Sequence, residues 1–443
     1  MSRSLAIIGG GLSGTLVTLN LLKVQQKTMR IVWFDRENSF GRGLAYTTPH
    51  SWHLLNVPAS NMSLYPDEPG HFLNWLHAND YNYKASDFVP RSLYGTYAVA
   101  ELQAMTANHP HIHIEYVPHA ATAIEKQETS FLITADTTYA VDQVVYAPGN
   151  FAPAHPRTNH SDYIKHPHYF QNSFDPACLP TVLNSHNLLI LGSGLTMIDM
   201  VLSLYHSHYK GRITIISPHG YLPQSHHQPL SGVVDDYVDM SQILSPAKLL
   251  AIVNRELKRA TREAKNPMSV IDRIRPHIQR CWINFTLAEK QQFLRHLRHK
   301  WGVARHRATP ESLTILNTFR QNDRLHILKG RIYDIEVLSG GFQVTYKDEN
   351  DRAQSLETSY IINCTGPGSD YTSLDDALVK DLLQKGLISA DGIRYGLQAE
   401  ADGTLAPGFY TLGPPLKGIL WESTAIPEIR VQAHYLALKI IQD

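Results

Sequence analysis

The sequence predicts an α/β protein of two doubly wound parallel-sheet domains, and three observations carry the prediction. A glycine-rich turn between an apolar strand and a helix is written twice, at residues 9–14 and 192–197. The same order of elements follows each turn. Each round then closes on an apolar strand and a small-residue turn, "VVYAPG" ending at Gly149 and "IINCTG" ending at Gly366.

The bulk composition sets the frame. A chain of 443 residues is too long for one small core, so two or three domains are expected. Apolar content of 43% with 18% charged residues fits a folded soluble protein. Lys+Arg and Asp+Glu balance at 40 each, which gives no footprint for nucleic acid or a membrane surface. No apolar run approaches the roughly 18 residues of a membrane span, and no signal peptide precedes the strand at Leu5. The three cysteines, Cys178, Cys281 and Cys364, form no CxxC pair, which suits a reducing cytoplasm and argues against a disulfide relay. The 24 histidines read as surface composition, because they lack metal-ligand spacing; no metal is expected.

The first turn follows the strand in "LAIIGGGLSGTLVTLNLL", residues 5–22. Gly9, Gly11 and Gly14 form GxGxxG: the first for a tight turn, the second for close approach to a pyrophosphate, the third for close helix–strand packing. Leu12 and Ser13 open the helix, whose free N–H groups and positive dipole end favour phosphate. Asp35, about twenty residues beyond Gly14, ends the second strand where a carboxylate meets an adenosine ribose, with Arg36 beside it. Val117 ends the third strand, beside the expected adenine, and Pro148 and Gly149 form the closing turn.

The second turn repeats Gly192 and Gly194, then Leu195 and Thr196, but places Met197 at the third glycine position. Its second strand ends at Ser217, followed by Pro218 and His219. Neither an acid for a ribose nor an arginine for a 2′-phosphate stands there, so NADH and NADPH are left equally open. His219, His226 and Arg212 are candidate contributors.

Between turn and closing strand, "SFLITAD" and "GFQVTYK" alternate as half-buried meander strands. Two mononucleotide-binding units, each with a β-meander crossover, is the plan of the two-dinucleotide-binding-domain flavoproteins. A first domain at 1–185 and 368–443 would hold FAD. A second at 186–367, with a mostly helical insertion at 222–310, would receive NAD(P)H. The insertion reads as a lid that sets the substrate. The strand "GFYTLG", carrying Gly413, and a helix beginning near Thr424 should return to the first domain, because the second has already closed at Gly366.

Several further stretches carry a family resemblance: "FGRGLAY" (40–46), "LLNVPA" (54–59), "FVPRSLYGTY" (88–97), "GSGLTMID" (192–199), "FLRHLRHKWGVARHRATPE" (293–311), "INCTGP" (362–367) and "LGPPLKGILWESTAIPEIRVQA" (412–433). In this order the chain resembles the bacterial FAD-NAD(P)-binding oxidoreductase family. The resemblance implies a pair of Rossmann-like domains in a glutathione-reductase-like arrangement and a kinship to flavin-dependent amine N-oxygenases. Pro218 departs from relatives that carry arginine after the serine. No FxGxxxH stretch of the Baeyer–Villiger type is present.

Within these stretches, Gly43 and Ala45 keep a cofactor-side passage thin, ending at Tyr46; Arg42 is either a pyrophosphate ligand or a surface arginine. Asn56, beside Val57, either meets a flavin edge or pins a loop to backbone. Arg91 is a candidate for phosphate or a substrate carboxylate. Ile426 and Pro427 begin the last helix, whose N–H groups would face the flavin, and Glu422 either bonds the ring system or favours the helix start. Arg295, Arg298 and His299 recur along a charged helix, either as a solvated face or as an anion site. No catalytic residue is identifiable, as expected when the cofactor supplies the hard step. The expected activity is a cytoplasmic, NAD(P)H-using flavin monooxygenase taking O2 and a small polar or amine substrate. The rivals are a reductase or oxidase without oxygenation and a non-catalytic flavin-binding redox sensor or partner subunit. Oligomeric state is not legible.

Overall fold

The structure is a computed structural model, and it describes residues 3–226 and 245–443. It divides into two units: residues 1–151, 277–287 and 369–443 form the first, and residues 152–276 and 288–368 the second. The part of the expected helical insertion at 227–244 lies outside the described residues.

The first unit opens with β1 (Arg3–Ile8), α1 (Leu12–Val24) and β2 (Met29–Phe34). It continues through α2 (His71–Ala78), α3 (Arg91–Asn108), β3 (Ile112–Val117), the meander β4 (Ala123–Lys126), β5 (Phe131–Thr134) and β6 (Thr138–Val141), and β7 (Gln143–Tyr146). The second unit then supplies β8 (Tyr169–Phe170), α4 (Cys178–Val182), β9 (Asn187–Leu191), α5 (Leu195–His206), β10 (Arg212–Ser217), α6 (Pro246–Arg262) and α7 (Met268–Ile274). The chain passes back into the first unit for α8 (Ile278–Asn284). It then runs through α9 (Leu287–His296), α10 (Arg298–Arg305), α11 (Pro310–Gln321), β11 (Leu325–Leu338), β12 (Gly341–Asp348), β13 (Ala353–Thr358) and β14 (Tyr360–Asn363). Last come α12 (Ala377–Gln384), β15 (Thr404–Ala406), β16 (Phe409–Thr411) and α13 (Ile426–Gln442).

The first sheet has the order β15-β16-β7-β1-β2-β3. β1 pairs parallel with both β2 and β7, so its apolar run is buried on both faces. Leu5 and Ile7 face a core with Leu16, Tyr97 and Leu436, while Ala6 and Ile8 face Phe131, Leu378 and Phe409. β16 pairs parallel with β7, Phe409 against Val144, which places the chain's end in the first sheet.

The second sheet has the order β13-β12-β11-β10-β9-β14-β8. Its core gathers Leu189, Leu191, Ile216, Ile335, Phe342 and Val344. The two meanders differ. In the first unit β4, β5 and β6 form a separate sheet, whereas in the second a single 14-residue strand, β11, pairs with β10 and then bends into the meander with β12.

Three expectations are corrected. The second unit begins at Ala152, not at 186: β8 pairs parallel with β14, and residues 152–185 cluster with the second unit. The insertion is not wholly of the second unit: residues 277–287 cluster with the first, where Trp282 is 1% exposed and its Nε1 donates to Gly418 O at 2.8 Å. The charged stretch 293–307 is two helices rather than one, parted at Leu297, whose φ of −116° departs from helical values. No helix among the described residues is long and apolar enough to cross a membrane.

Candidate functional site

In the first unit the glycine turn is forced into shape by its neighbours. A Cβ on Gly9, whose φ is +117°, would lie 2.1 Å from Ala147 O. One on Gly14 would lie 2.4 Å from Gly9 O, so α1 sits against β1 as the motif requires. Trp33 Nε1 donates to Gly9 O at 2.9 Å and holds the turn from the β2 side. α1 begins at Leu12 with Gly11 as cap and no side-chain capping bond, leaving the first N–H groups of Leu12 and Ser13 for a ligand.

The passage after β2 crosses this turn. Gly41 N donates to Gly10 O at 3.0 Å, and a Cβ on Gly43 would fall 2.8 Å from Gly11 Cα. Gly11 itself has only Gly43 Cα at 3.5 Å. Leu44, Ala45 and Tyr46 form one 3-10 turn on which α3 rests at Gly95; a Cβ there would meet Tyr46 O at 2.5 Å and Arg42 Cδ at 3.4 Å. Leu44 and Ala45 are exposed, while burial pushes the half-buried Tyr46 phenol up to about 12 against the opposing pull of Arg91. Arg91 Nε donates to Leu54 O at 3.0 Å, so it ties the "LLNVPA" segment to α3. Asn56 and Val57 lie half-buried in that segment, Val57 against the first core.

Asp35 N donates to Val117 O at 3.1 Å, setting the ends of β2 and β3 side by side. The Asp35 carboxylate accepts from Ser39 N at 2.6 Å and Ser39 Oγ at 2.9 Å, through Oδ2 in both bonds. Arg36 points to solvent, 3.4 Å from Glu37 and 4.0 Å from Asp376. On the other side of the turn, Pro148 and the open Gly149, with φ +71°, follow β7 directly.

The returning segment completes the group. A Cβ on Gly413 would meet Ser13 Oγ at 2.9 Å, and Gly413 N donates to Gln432 Oε1 at 2.9 Å. α13 begins at Ile426, two residues later than expected, because Pro427 occupies the start of its first turn. Just before it, Glu422 is buried with φ +73°, a left-handed conformation costly for a residue with a Cβ. Ser423 is 0% exposed and its Oγ has no hydrogen-bond partner among the described residues. Tyr94 is equally buried, and its Oη likewise finds no partner among the described residues. Buried orphan hydroxyls are rare. Together with the open Gly11 and the bare α1 start, they fit a polar, ring-bearing group such as FAD.

The second unit has the looser turn. A Cβ on Gly192, φ +95°, would meet Cys364 O at 2.6 Å, but one on Gly194 meets nothing within 4 Å. Leu195 and Thr196 open α5, again without a side-chain cap, and Met197 is fully buried where the third glycine would stand. Ser193 Oγ donates to Ser217 Oγ at 2.9 Å, and Gly220 N donates to the same Ser217 oxygen at 3.1 Å, stitching the turn to the end of β10. His219 stacks on Tyr221 at 5.3 Å and meets His299 edge-on at 4.5 Å. Of the other candidates, Arg212 opens β10 at the end away from Ser217, and His226 N donates to Ala308 O at 3.0 Å.

Sequence reasoning passed over Gly10, whose Cβ would strike Asp35 Cβ at 2.6 Å, as well as Ser39, Gly95 and Ser423. Only Gly95, a glycine inside a helical pattern, left a visible signal.

Residues 6–151 match the family model described as FAD-NAD(P)-binding. No curated protein matches the chain. Solved structures do. An ornithine N-hydroxylase of Kutzneria sp. 744, in a complex with reduced FAD, NADP+ and L-ornithine, is similar at 15% identity and TM-score 0.65, covering 100% of this chain and 99% of that one. A cadaverine monooxygenase of Erwinia amylovora bound to FAD gives 13%, 0.67, 100% and 95%. A thioredoxin reductase of Lactococcus lactis gives 10%, 0.54, 100% and 98%. Residues 6–151 are thus similar to the FAD-NAD(P)-binding family, and the whole length has the fold of the two-dinucleotide-binding-domain flavoproteins.

Proposed function

We propose that this chain is an FAD-dependent, NAD(P)H-consuming monooxygenase acting on a small amine or polar substrate. The observation that carries the reading is the end-to-end likeness to amine N-hydroxylases, 100% of this chain against 99% of the Kutzneria enzyme. In this reading Gly9, Gly11, Gly14 and the start of α1 hold the FAD pyrophosphate, Asp35 its ribose, and the turn at Pro148 and Gly149 lies alongside. Gly413, Glu422 and the start of α13 border the flavin. The N–H of Ile426, at the positive end of that helix, offers a donor where negative charge gathers on reduction. Gly192, Gly194 and the start of α5 take the NAD(P)H pyrophosphate. FAD, when bound, accepts a hydride from NAD(P)H and passes its electrons to O2.

The thioredoxin-reductase likeness raises a second reading, a reductase passing electrons to a disulfide. The thiols speak against it. Cys178, Cys281 and Cys364 are all buried and unpaired, and burial pushes each thiol's pKa up, with Cys364 reaching about 12. Such thiols are poor nucleophiles. Free thiols and NAD(P)H use both suit the cytoplasm.

The test is NAD(P)H oxidation by purified protein against a panel of amines and amino acids, with hydroxylated product quantified beside hydrogen peroxide. One substrate should raise NAD(P)H consumption and yield product in proportion. Peroxide alone with every substrate would make the protein an oxidase.

A further inference from the structure

The end of β10 lacks the arginine that a 2′-phosphate would want, yet that place is not short of positive charge. Arg298, His299 and Lys300 begin α10, and α10 brings the His299 ring within 4.5 Å of His219. From β11, Lys329 and Arg331 act on the His219 ring, and a Cβ on Gly220 would lie 3.5 Å from Lys329 Cβ. Arg298 Nη2 donates to His299 Nε2 at 2.9 Å, so that imidazole is neutral at this nitrogen. Among the described residues, the acid engaged here is Glu349, paired with Lys329 at 2.7 Å. Arg331 is exposed and has no ion-pair partner among the described residues. Burial first, then the surrounding cations, lower both imidazoles, His299 to about 4.

Among the described residues, the cations acting on the two imidazoles outnumber the acid, and like charges repel one another. They become favourable once an anion sits between them. The cluster's position names the anion. His219 stands two residues beyond Ser217, which is bonded to the open glycine turn through Ser193. In a doubly wound domain the adenosine ribose lies at this strand end while the pyrophosphate sits on the turn.

We propose that Arg298, His299 and Arg331, with His219, form a phosphate-monoester subsite that takes the 2′-phosphate of NADPH and selects NADPH over NADH. The reader is supplied by the insertion's α10 and by β11, in place of the turn after β10. The inference rests on the proposed function only in that the second unit must take a dinucleotide.

The probes are 2′,5′-ADP and 5′-AMP, titrated calorimetrically into the FAD-loaded protein. The expected result is tighter binding of 2′,5′-ADP by about tenfold or more, since one charge-assisted contact is worth at least that factor. Arg331→Gln and Arg298→Gln should each shrink the ratio of the two affinities, and raised salt should shrink it as well. Arg331 is exposed, so its variant keeps its fold, which flavin content and circular dichroism verify. Equal binding of the two probes, or a ratio unmoved in both variants, overturns the subsite. If NADH and NADPH reduce the flavin equally well, the subsite falls while the oxidoreductase stands. If neither reduces it and neither probe binds, the oxidoreductase reading falls too.

Discussion

The two glycine turns start from nearly the same residues and differ in how much room surrounds them. In the first, added Cβ atoms at Gly9, Gly10, Gly14 and Gly43 all collide with neighbours at 2.1–2.8 Å, and a second loop crosses the turn at Gly43. In the second, Gly192 is crowded but Gly194 is open, and buried Met197 stands in place of the third glycine. A turn over-determined from several sides is preorganised for a ligand that stays. An open turn beside a cluster of cations suits a ligand that arrives, delivers its hydride and leaves. In the proposed function the same motif would serve a resident cofactor in one unit and an exchanging one in the other, with packing around the glycines making the difference.

The largest expected effect breaks the first turn. Gly9→Ala combines a positive φ with a clash against backbone and should destabilise the first unit by about 4 kcal/mol. Thermal unfolding and flavin content after gel filtration measure it; a stable, yellow variant would contradict the crowding described. Gly192→Ala, aimed at Cys364 O, should behave as the same kind of folding lesion in the second unit. The hold of the first unit extends to α8. Trp282 packs against Trp421 with ring centroids 4.7 Å apart and planes tilted by 33°, so Trp282→Ala should cost about 3 kcal/mol and expose residues 277–287 to limited proteolysis. An unchanged digestion pattern would show that the segment is held otherwise.

Gly194→Val sharpens the comparison with a smaller effect. Its side chain enters open space, so unfolding temperature and FAD content should hold while reduction by NADPH slows about tenfold or more. The smallest effect is proton linkage at the cation cluster. His219 and His299 are neutral near pH 7, and a phosphate between them raises their pKa, so binding takes up protons. Affinity for 2′,5′-ADP relative to 5′-AMP should therefore rise as pH falls from about 8 to about 6.5, while the phosphate is still mostly dianionic. The described groups facing the two rings are Arg298, Lys300, Lys329, Arg331, Tyr221 and, through Lys329, Glu349. A flat ratio over that range would mean that the imidazoles stay neutral in the complex.

Both turns, the repeat and the return of β16 to the first sheet were legible because each rests on short-range pattern or on chain order. Gly9 and Gly14 announce strand–turn–helix geometry whatever surrounds them. The cation cluster was not legible, because Arg298 and Arg331 lie far from His219 in sequence and only the path of α10 and β11 joins them. The same holds for α8: its seven residues carry no mark that they leave one unit for the other. The boundary at 152 was hidden because β8 is two residues long, too short for any periodicity. Ser39 binds Asp35 through a local turn that no motif records, and the orphan hydroxyls of Tyr94 and Ser423 are defined only by what packs around them.

Anaerobic flavin reduction shows whether the first unit keeps FAD while the second admits NADPH. Wild type and Gly194→Val would be gel-filtered, assayed for FAD per chain, and mixed with NADPH in the absence of O2, with visible absorbance followed in time. FAD content should be equal in both, with rapid bleaching in the wild type and slow bleaching in the variant. Loss of FAD from a folded Gly194→Val, or a wild type whose flavin NADPH leaves oxidised, would contradict it.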